Sequence, residues 1–208
     1  ERHRVISTDA VARMLQFKRH RNRLAIELPS GDGGVDDELP IDPYMMGALL
    51  GNGCFRNNTV SLSTIDRSVV ARCQASLKFG YRLRPSPGTI DHRIARRRRG
   101  ASGGNFYKIV LRALGLDGLY SEEKFIPSMY LMASRPMRLA LMQGLMDTDG
   151  WVEKNGALCY STSSERLRDD FLTLAWALGC TTSVKLRPAP KFSHKGETRT
   201  GLPHWRIG

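Results

Sequence analysis

The feature that most constrains the fold of this 208-residue chain is a short pattern that occurs twice. The segment "GALLGNG" (Gly47–Gly53) recurs as "QGLMDTDG" (Gln143–Gly150), with 97 positions from Asn52 to Asp149. Each segment joins an apolar helical pattern to a corner of small, polar and glycine residues, which predicts a helix ending in a tight turn. The second corner carries an aspartate where the first carries an asparagine.

The elements that follow each corner also repeat. After the first corner come a strand pattern ("TVSLSTID"), a helix pattern ("RSVVARCQASLKF") and a second strand pattern ("YRLRP"). After the second corner come "GALCYSTSS", "ERLRDDFLTLAWAL" and "TSVKLRP" in the same order, with "RLRP" and "KLRP" at matching places. The period is far longer than that of a solenoid repeat, so the sequence predicts one domain made of two similar halves.

The segments outside the repeat divide the chain further. Residues 1–41 contain a predicted helix over Asp9–Phe17, capped by Ser7 or Thr8, and end in a glycine- and aspartate-rich linker. We interpret residues 1–41 as a connector and residues 42–208 as the main domain.

Polar residues are placed to cap the N-termini of the two repeated helices. Asp42 is placed to cap the first repeated helix, and Ser134 to cap the second. Between the halves, "HRIARRRRGASGGN" is predicted to be a mobile loop, followed by a helix over Phe106–Leu114.

Charge favours a polyanionic partner. The chain has 32 Lys and Arg against 20 Asp and Glu, a net charge of +12, which makes nucleic acid the leading partner class. The sequence has no apolar run long enough to span a bilayer and no signal-peptide core at its start, so we expect an intracellular protein of the cytoplasm or nucleoid. Four scattered cysteines without a C-x-x-C pattern favour neither a zinc ribbon nor a disulfide framework.

The two corners together suggest a metal site. Gly47 and Gly51 are four apart, as are Gly144 and Thr148, so each helix has a face of small residues that would allow close packing and bring the helix ends side by side. Acids at helix C-termini are unfavourable there, and a divalent cation such as Mg²⁺ would compensate them. Either corner taken alone is equally typical of an ordinary glycine cap or Asx turn; the pair at matching positions favours a site.

These residues carry a family resemblance. "MMGALLGNG" and "MQGLMDTDG" resemble the two signature copies of LAGLIDADG homing endonucleases, and "KFIP" ahead of "GLMDTDG" resembles the dodecapeptide (DOD) endonuclease domains carried by inteins, over residues 41–208. The resemblance implies an α+β fold of single-chain, pseudo-two-fold αββαββα repeats, with halves at about 42–125 and 126–208. It also implies two antiparallel sheets forming a DNA-binding saddle, and a monomer.

The same resemblance implies roles for particular residues. The two metal-binding acids of the family fall on Asp149 and on Asn52, with Gly51 and Thr148 as neighbouring metal ligands for Mg²⁺, and the lysine of the "K-x-I-P" block falls on Lys124. Asn52 departs from the pattern because an amide lacks the charge of a carboxylate, so we expect weaker metal binding and reduced or lost cleavage. The lysine of the second half is not identified; three candidates remain unranked, namely Lys185, Lys191 and Lys195.

On a saddle, alternate strand residues face the DNA. The basic residues assigned to DNA binding are Arg82, Arg84, Arg93, Arg96, Arg97, Arg98, Arg99, Lys185 and Arg187. The three tryptophans are interpreted as core or rim packing.

The resemblance implies a site-specific double-strand DNA endonuclease with a long asymmetric target. Two alternatives stay open: a sequence-specific DNA-binding protein that has lost cleavage, and an RNA-binding intron maturase of the same fold. Glu1 and Gly208 are not splicing residues, so no protein splicing is expected, and residues 1–41 are either a connector or an added DNA-contacting segment.

Overall fold

The computed structural model describes residues 5–21, 23–25, 33–98, 104–194 and 196–208. The helices are α1 Thr8–Leu15, α2 Lys18–Arg21, α3 Pro43–Asn52, α4 Arg67–Ala75, α5 Phe106–Ala113, α6 Ser128–Leu131, α7 Arg135–Asp149 and α8 Glu165–Ala177, with a 3₁₀ turn at Ser121–Glu123. The strands are β1 Gly53–Cys54, β2 Ser61–Ser63, β3 Tyr81–Pro85, β4 Asp91–Arg96, β5 Gly150–Val152, β6 Leu158–Thr162, β7 Val184–Arg187, β8 Lys191–His194, β9 Glu197–Thr200 and β10 His204–Ile207.

Side-chain caps start the helices where the sequence predicts them. Ser7 accepts a hydrogen bond from a backbone N–H of α1, and Asp42 does the same for α3. Ser134 occupies the N-cap position of α7, but its side chain makes no capping hydrogen bond. Helix α4 ends at Ala75, short of the predicted Phe79, which is fully exposed.

The two sheets have the same strand order. The first is β1-β2-β4-β3 and the second β5-β6-β10-β7, and all neighbours are antiparallel. Each sheet follows one of the two predicted helices, α3 or α7. A separate hairpin, β8–β9, interrupts the second set between β7 and β10 and has no counterpart in the first.

The loop predicted from His92 onwards is wrong over its first part, because residues up to Arg96 form strand β4. This strand pairs with both β2 and β3, and its Ile94 is fully buried. The segment lacks a clear strand pattern, because Ile94 is its only fully buried apolar side chain and most of the neighbouring residues are basic. The pairing of two distant strands decides its conformation, not local pattern.

The "RLRP" and "KLRP" segments do not lie at matching places. Ser63 of β2 pairs with Asp91, which in turn accepts a hydrogen bond from the backbone of Ser86. The corresponding residue of β6 pairs with Arg206, which lies opposite Lys185. Lys185 therefore corresponds to position 86, four residues beyond Arg82. The offset is already present in the sequence, since Arg82 follows Gly80 by two residues whereas Lys185 follows Gly179 by six.

Helices α3 and α7 pack together through their glycines. A Cβ on Gly47 would lie 2.2 Å from the carbonyl oxygen of Leu141, and one on Gly144 would lie 2.1 Å from that of Tyr44. Such distances leave no room for any side chain, so the backbones touch. Seven of the ten residues of α3 are buried, which places this helix in the core.

Part of the N-terminal segment also packs on the main domain. Val35 forms a parallel bridge with Ala133, and the hydroxyl of Tyr130 donates to the carbonyl and accepts from the N–H of Ile41. Helices α1 and α2 bury no residue. None of the helices in the described ranges has the length and apolar character needed to cross a membrane.

Candidate active site at the ends of the paired helices

The C-terminal ends of α3 and α7 meet. A Cβ on Gly51 would lie 2.0 Å from Oγ1 of Thr148 and 3.3 Å from the carboxyl carbon of Asp149. The Thr148 hydroxyl donates to the carbonyls of Gly144 and Leu145 within its own helix, so it packs against Gly51 and not toward solvent. The close glycine packing predicted from the sequence thus brings these residues together.

A cleft of about 450 Å³ opens over the meeting point. It is lined by Gly51, Asn52 and Asp149 from the helix ends. The rest of the wall comes mostly from the second half and mixes polar residues, among them Ser161, Thr162, Ser163 and His204, with the apolar Leu167, Pro190 and Leu202. The cleft is therefore a mixed polar and apolar chamber that residues 52 and 149 both line.

Asp149 is a partly buried carboxyl that receives no hydrogen bond from the described residues. Burial raises the pKa of Asp149 to about 6, and the nearby charge of Lys124 opposes that rise. Within the described ranges no group donates a hydrogen bond to this carboxylate, and no ion pair forms between it and Lys124. Since Asp149 also lines the cleft, its carboxylate is left for water, a cation or a ligand in the cleft to satisfy.

Lys124 lies under the end of α3 and not at the mouth of the cleft. Its Nζ donates to the carbonyl oxygens of Leu50 at 2.9 Å, Gly51 at 3.1 Å and Gly53 at 2.8 Å, with Leu49 at 3.3 Å, and the residue is only 4% exposed. Burial lowers the pKa of Lys124 to about 8, while the charge of Asp149 opposes the shift. A cation at a helix C-terminus stabilises the carbonyl dipoles by up to about 2 kcal/mol.

Residues of α8 hold the "KFIP" block in place. Oγ of Ser164, which is fully buried, donates to the carbonyl of Lys124 at 2.6 Å, and a carboxylate oxygen of Asp170 accepts from the N–H of Ile126 at 2.8 Å. The guanidinium of Arg166 stacks on the ring of Phe125 at 3.6 Å. Ser164 and Asp170 are not among the site residues predicted from the sequence. The helix-start pattern "SSER" indicates Ser164 as a cap, but its bond to position 124 has no local signal.

The two ends differ in how well they suit a divalent ion. Within the described ranges, no group of three or more His, Cys, Asp or Glu side chains is arranged to hold a metal. Mg²⁺ is nevertheless commonly held by one or two carboxylates together with substrate phosphates, and the unsatisfied carboxylate of Asp149 fits that arrangement. The α3 end does not fit, because position 52 carries no charge and Lys124 already occupies the carbonyls.

The first sheet presents an exposed basic face. Arg82 and Arg84 of β3 are exposed, and Arg84 lies directly opposite Arg93 of β4. In the described ranges none of the three makes an ion pair with an acid. Like charges in directly opposed positions repel, so this face is arranged for an anionic ligand and not for its own stability.

The arginine run is divided. Arg96 donates to the hydroxyl of Tyr81 and to the carbonyl of Gly104, and Arg97 donates to the carbonyl of Tyr81. Arg98 is exposed, and Arg99 lies outside the described residues. The structure therefore separates Arg96 and Arg97, which hold the end of β4, from Arg98.

The second sheet also carries exposed cations. Lys185 and Arg187 of β7 are exposed on one face, and Lys191 is exposed at the start of β8. Lys195 lies outside the described residues. No lysine in the described ranges donates to a carbonyl at the end of α7, so the second-half lysine is not found.

The tryptophans lie at the rim. Trp151 and Trp176 are 39% and 51% exposed, and the ring of Trp205 carries the guanidinium of Arg168 at 4.1 Å. None of them belongs to the buried core, so the core interpretation is wrong, and rim packing stays a prediction.

Comparison with known proteins agrees with the helix-end motif. Residues 136–202 match the LAGLIDADG-like domain family, a match that begins in α7 and ends after β9. A replicative DNA helicase DnaB from Mycobacterium intracellulare is 31% identical over 166 residues, which cover 79% of this chain but only 23% of the helicase. The domain match indicates a homing endonuclease or a related DNA-binding protein.

Proposed function

We propose that this chain is an intein-type homing endonuclease domain that binds double-stranded DNA and hydrolyses phosphodiester bonds with a divalent cation. The observation that carries the proposal is the carboxylate of Asp149, which lines the cleft at the meeting point of two glycine-packed helix ends and receives no hydrogen bond from the described residues. A site of that kind suits a cation and an anionic substrate together.

Three residues are the proposed cation ligands. The carboxylate of Asp149 leads, supported by the side-chain oxygen of Asn52 and the backbone carbonyl of Thr148; the Gly51 carbonyl is not included, because it accepts a hydrogen bond from Lys124. When bound, the cation stabilises the charge that develops on the scissile phosphate and lowers the pKa of a water. The polar residues of the cleft wall would orient the phosphate, and the raised pKa of Asp149 would fall once a cation lies beside it.

Exposed cations on the two sheets are the proposed DNA surface. Arg82, Arg84 and Arg93 form the contribution of the first sheet, and Lys185 and Arg187 that of the second. The repeated strand order supports a pseudo-two-fold saddle formed within one chain, which would make a monomer sufficient. The net charge of +12 supports strong, salt-dependent binding.

The similarity to the DnaB helicase supports a replicative helicase as the host protein that carries this domain. The matched region makes up 23% of a protein named as a replicative helicase, as expected for an endonuclease domain carried inside a longer host. The proposed target is then the helicase coding sequence at the point where such an insertion would be absent.

A supercoiled-plasmid assay tests the proposal. The plasmid carries the helicase coding sequence joined without the inserted segment, and the control plasmid carries the same sequence with it. With Mg²⁺, the protein should convert only the uninterrupted plasmid to nicked or linear DNA, and the Asp149→Asn variant should not. Equal conversion of both plasmids to nicked or linear DNA, or unchanged cleavage by Asp149→Asn, would contradict the proposal.

A second candidate is a DNA-binding protein that does not cleave. The uncharged Asn52 and the commitment of Lys124 to four backbone carbonyls favour it, because both remove groups expected at the site. Selective gel retardation of the uninterrupted site without any nicked or linear product over a wide Mg²⁺ range would identify this second function.

A further inference from the structure

The Lys124 ammonium is already saturated by backbone carbonyls. It has three N–H donors, and four carbonyl oxygens lie within 2.8 to 3.3 Å of its nitrogen. With the residue only 4% exposed, no donor remains for a phosphate or a water in the cleft. The ammonium nitrogen also lies over the ring of Phe55, 4.9 Å from its centroid.

The cage is built from both halves of the molecule. Ser164 and Asp170 of α8 fix the backbone of the block at positions 124 and 126, while the ammonium reaches back to the end of α3. The Gly51 carbonyl that would face a cation at this end accepts a hydrogen bond from Lys124 instead. The end of α7 receives no lysine within the described ranges, and there the carboxylate of Asp149 stands without a donor.

We propose that Lys124 is a resident cation that takes the place of a divalent ion at the α3 end, so that this site binds one divalent ion, on the Asp149 side. The proposal rests on the proposed function, because it concerns the same cleft. One positive charge at each helix end then compensates the two sets of carbonyl dipoles: a fixed ammonium at α3 and an exchangeable ion at α7.

One consequence concerns the DNA product. A cleft with a single divalent ion has unequal ends, so the two strands of a bound duplex meet different chemistry. Nicked plasmid should accumulate before linear plasmid, and one strand should be cut preferentially in end-labelled duplexes.

Counting bound Mn²⁺ tests the proposal without any cleavage measurement. Mn²⁺ is titrated into the protein alone, and free ion is followed by electron paramagnetic resonance. The wild-type chain should bind about one equivalent and Asp149→Asn none; Asn52→Asp alone should remain at about one, because the ammonium still fills the carbonyl cage. The double variant Lys124→Met with Asn52→Asp should bind about two.

Several results would overturn the proposal. They are two ions on the wild-type chain, no ion on it, unchanged binding by Asp149→Asn, two ions on Asn52→Asp alone, or one ion on a folded double variant. Asp147→Asn serves as the matched control, since this acid lies on the same helix, is exposed and accepts from the Tyr44 hydroxyl at 2.8 Å.

A second measurement covers the chance that removing Lys124 unfolds the protein. Amine acylation of the native wild-type chain is followed by peptide mass spectrometry, with exposed Lys154 as internal standard. Lys124 should react at least roughly tenfold more slowly than Lys154, both with and without Mn²⁺. Labelling of Lys124 that rises to the Lys154 level on adding Mn²⁺ would show that the metal displaces the ammonium, and would overturn the proposal.

The ion count separates this proposal from the proposed function. If the Mn²⁺ counts follow the expected pattern but neither plasmid is bound or cut, the endonuclease assignment fails and the resident cation stands. If the uninterrupted plasmid is cut but the wild-type chain binds two ions, the resident cation fails and the endonuclease stands.

Discussion

The two motif helices, α3 and α7, begin from similar sequences and end in different surroundings. Helix α3 is buried over most of its length and ends at an amide above a lysine held by backbone carbonyls. Helix α7 is longer, buries one face, and ends at a carboxyl that receives no hydrogen bond from the described residues. The comparison shows that both copies of the repeated helix and corner keep the close glycine packing, whereas only one copy keeps the acidic residue at the helix end.

The sheets show the same contrast. Their strand orders match, yet the second sheet carries the extra β8–β9 hairpin and a strand displaced by four residues relative to its counterpart. Backbone topology is thus shared, while the positions of the exposed cations differ. A DNA duplex lying across both sheets would meet two different patterns of charge, which is consistent with the proposed asymmetric target.

The largest expected effect is a loss of stability, and it tests whether Gly47 and Gly144 contribute equally to the packing of α3 against α7. Gly144→Ala should lower the free energy of unfolding by about 3 kcal/mol, because its Cβ would meet the backbone of Tyr44 at 2.1 Å. Gly47→Ala should cost a similar amount against Leu141. Urea unfolding measures both, with Gly33→Ala as the control, since a Cβ there meets nothing within 4 Å. A mild effect at only one of the two glycines would break the packing equivalence.

The next effect tests the chemical difference between the helix ends. Asp149→Asn should weaken Mn²⁺ affinity roughly 100-fold or more, because the only charged ligand at the α7 end is removed. Isothermal titration calorimetry gives the affinity. Asp147→Asn should change it little, and an equal loss in the two variants would mean that general charge and not the site attracts the ion.

The third effect concerns pH. Burial raises the pKa of Asp149 from 3.8 to about 6, so between these values the folded protein holds a proton that the unfolded chain has lost. The free energy of unfolding should therefore fall as pH rises from about 4 to about 6, by about 3 kcal/mol, and stay lower above that window. Urea unfolding of Asp149→Asn in the same buffers should lack this component; a curve parallel to wild type would contradict the assigned pKa shift.

The smallest effect compares the two basic faces. Replacing Arg84 and Arg93 together by Ala should weaken binding to a non-specific duplex about tenfold and make the slope of log affinity against log salt shallower by about 2. Fluorescence anisotropy at several salt concentrations measures both quantities. The pair Lys185 and Arg187 should behave alike if both sheets hold the backbone. Arg199→Ala, which removes a partner of Glu197 at 3.3 Å, is the control.

A change in affinity without a change in slope would sharpen the comparison. It would mean that the arginines of that sheet contact base edges more than phosphates, because only phosphate contacts release counterions. Equal slopes for wild type and for both double variants would remove the sheets from the DNA interface.

Local sequence signals predict much of the fold correctly. Errors arise where contacts between residues far apart in sequence decide the structure. Asp42 and Ser7 cap their helices as expected because an N-cap bond spans three residues. Strand β4 was missed because its stability comes from two neighbouring strands far away in sequence. Helix α4 ends at Ala75, and beyond it Leu77 packs against the core while Phe79 is fully exposed.

The candidate site divides in the same way. Glycine spacing predicts the close approach of the helices, and that approach brings Gly51, Thr148 and Asp149 together. The position of Lys124 could not be predicted from its motif, because a lysine side chain can reach either the cleft or the helix end. The hydrogen bonds of Ser164 and Asp170 to the backbone near it join residues about 40 positions apart, and no local pattern records them.

The sequence by itself determined the order of the elements, the two glycine corners, the helix caps and the excess of positive charge, because periodicity, capping and composition act over a few residues. Only the tertiary structure decided that β4 is a strand, and that Lys124 lies beneath α3 while Asp149 receives no hydrogen bond from the described residues. Those outcomes depend on which distant backbones approach each other, and burial then sets the pKa of each charged group that the approach encloses.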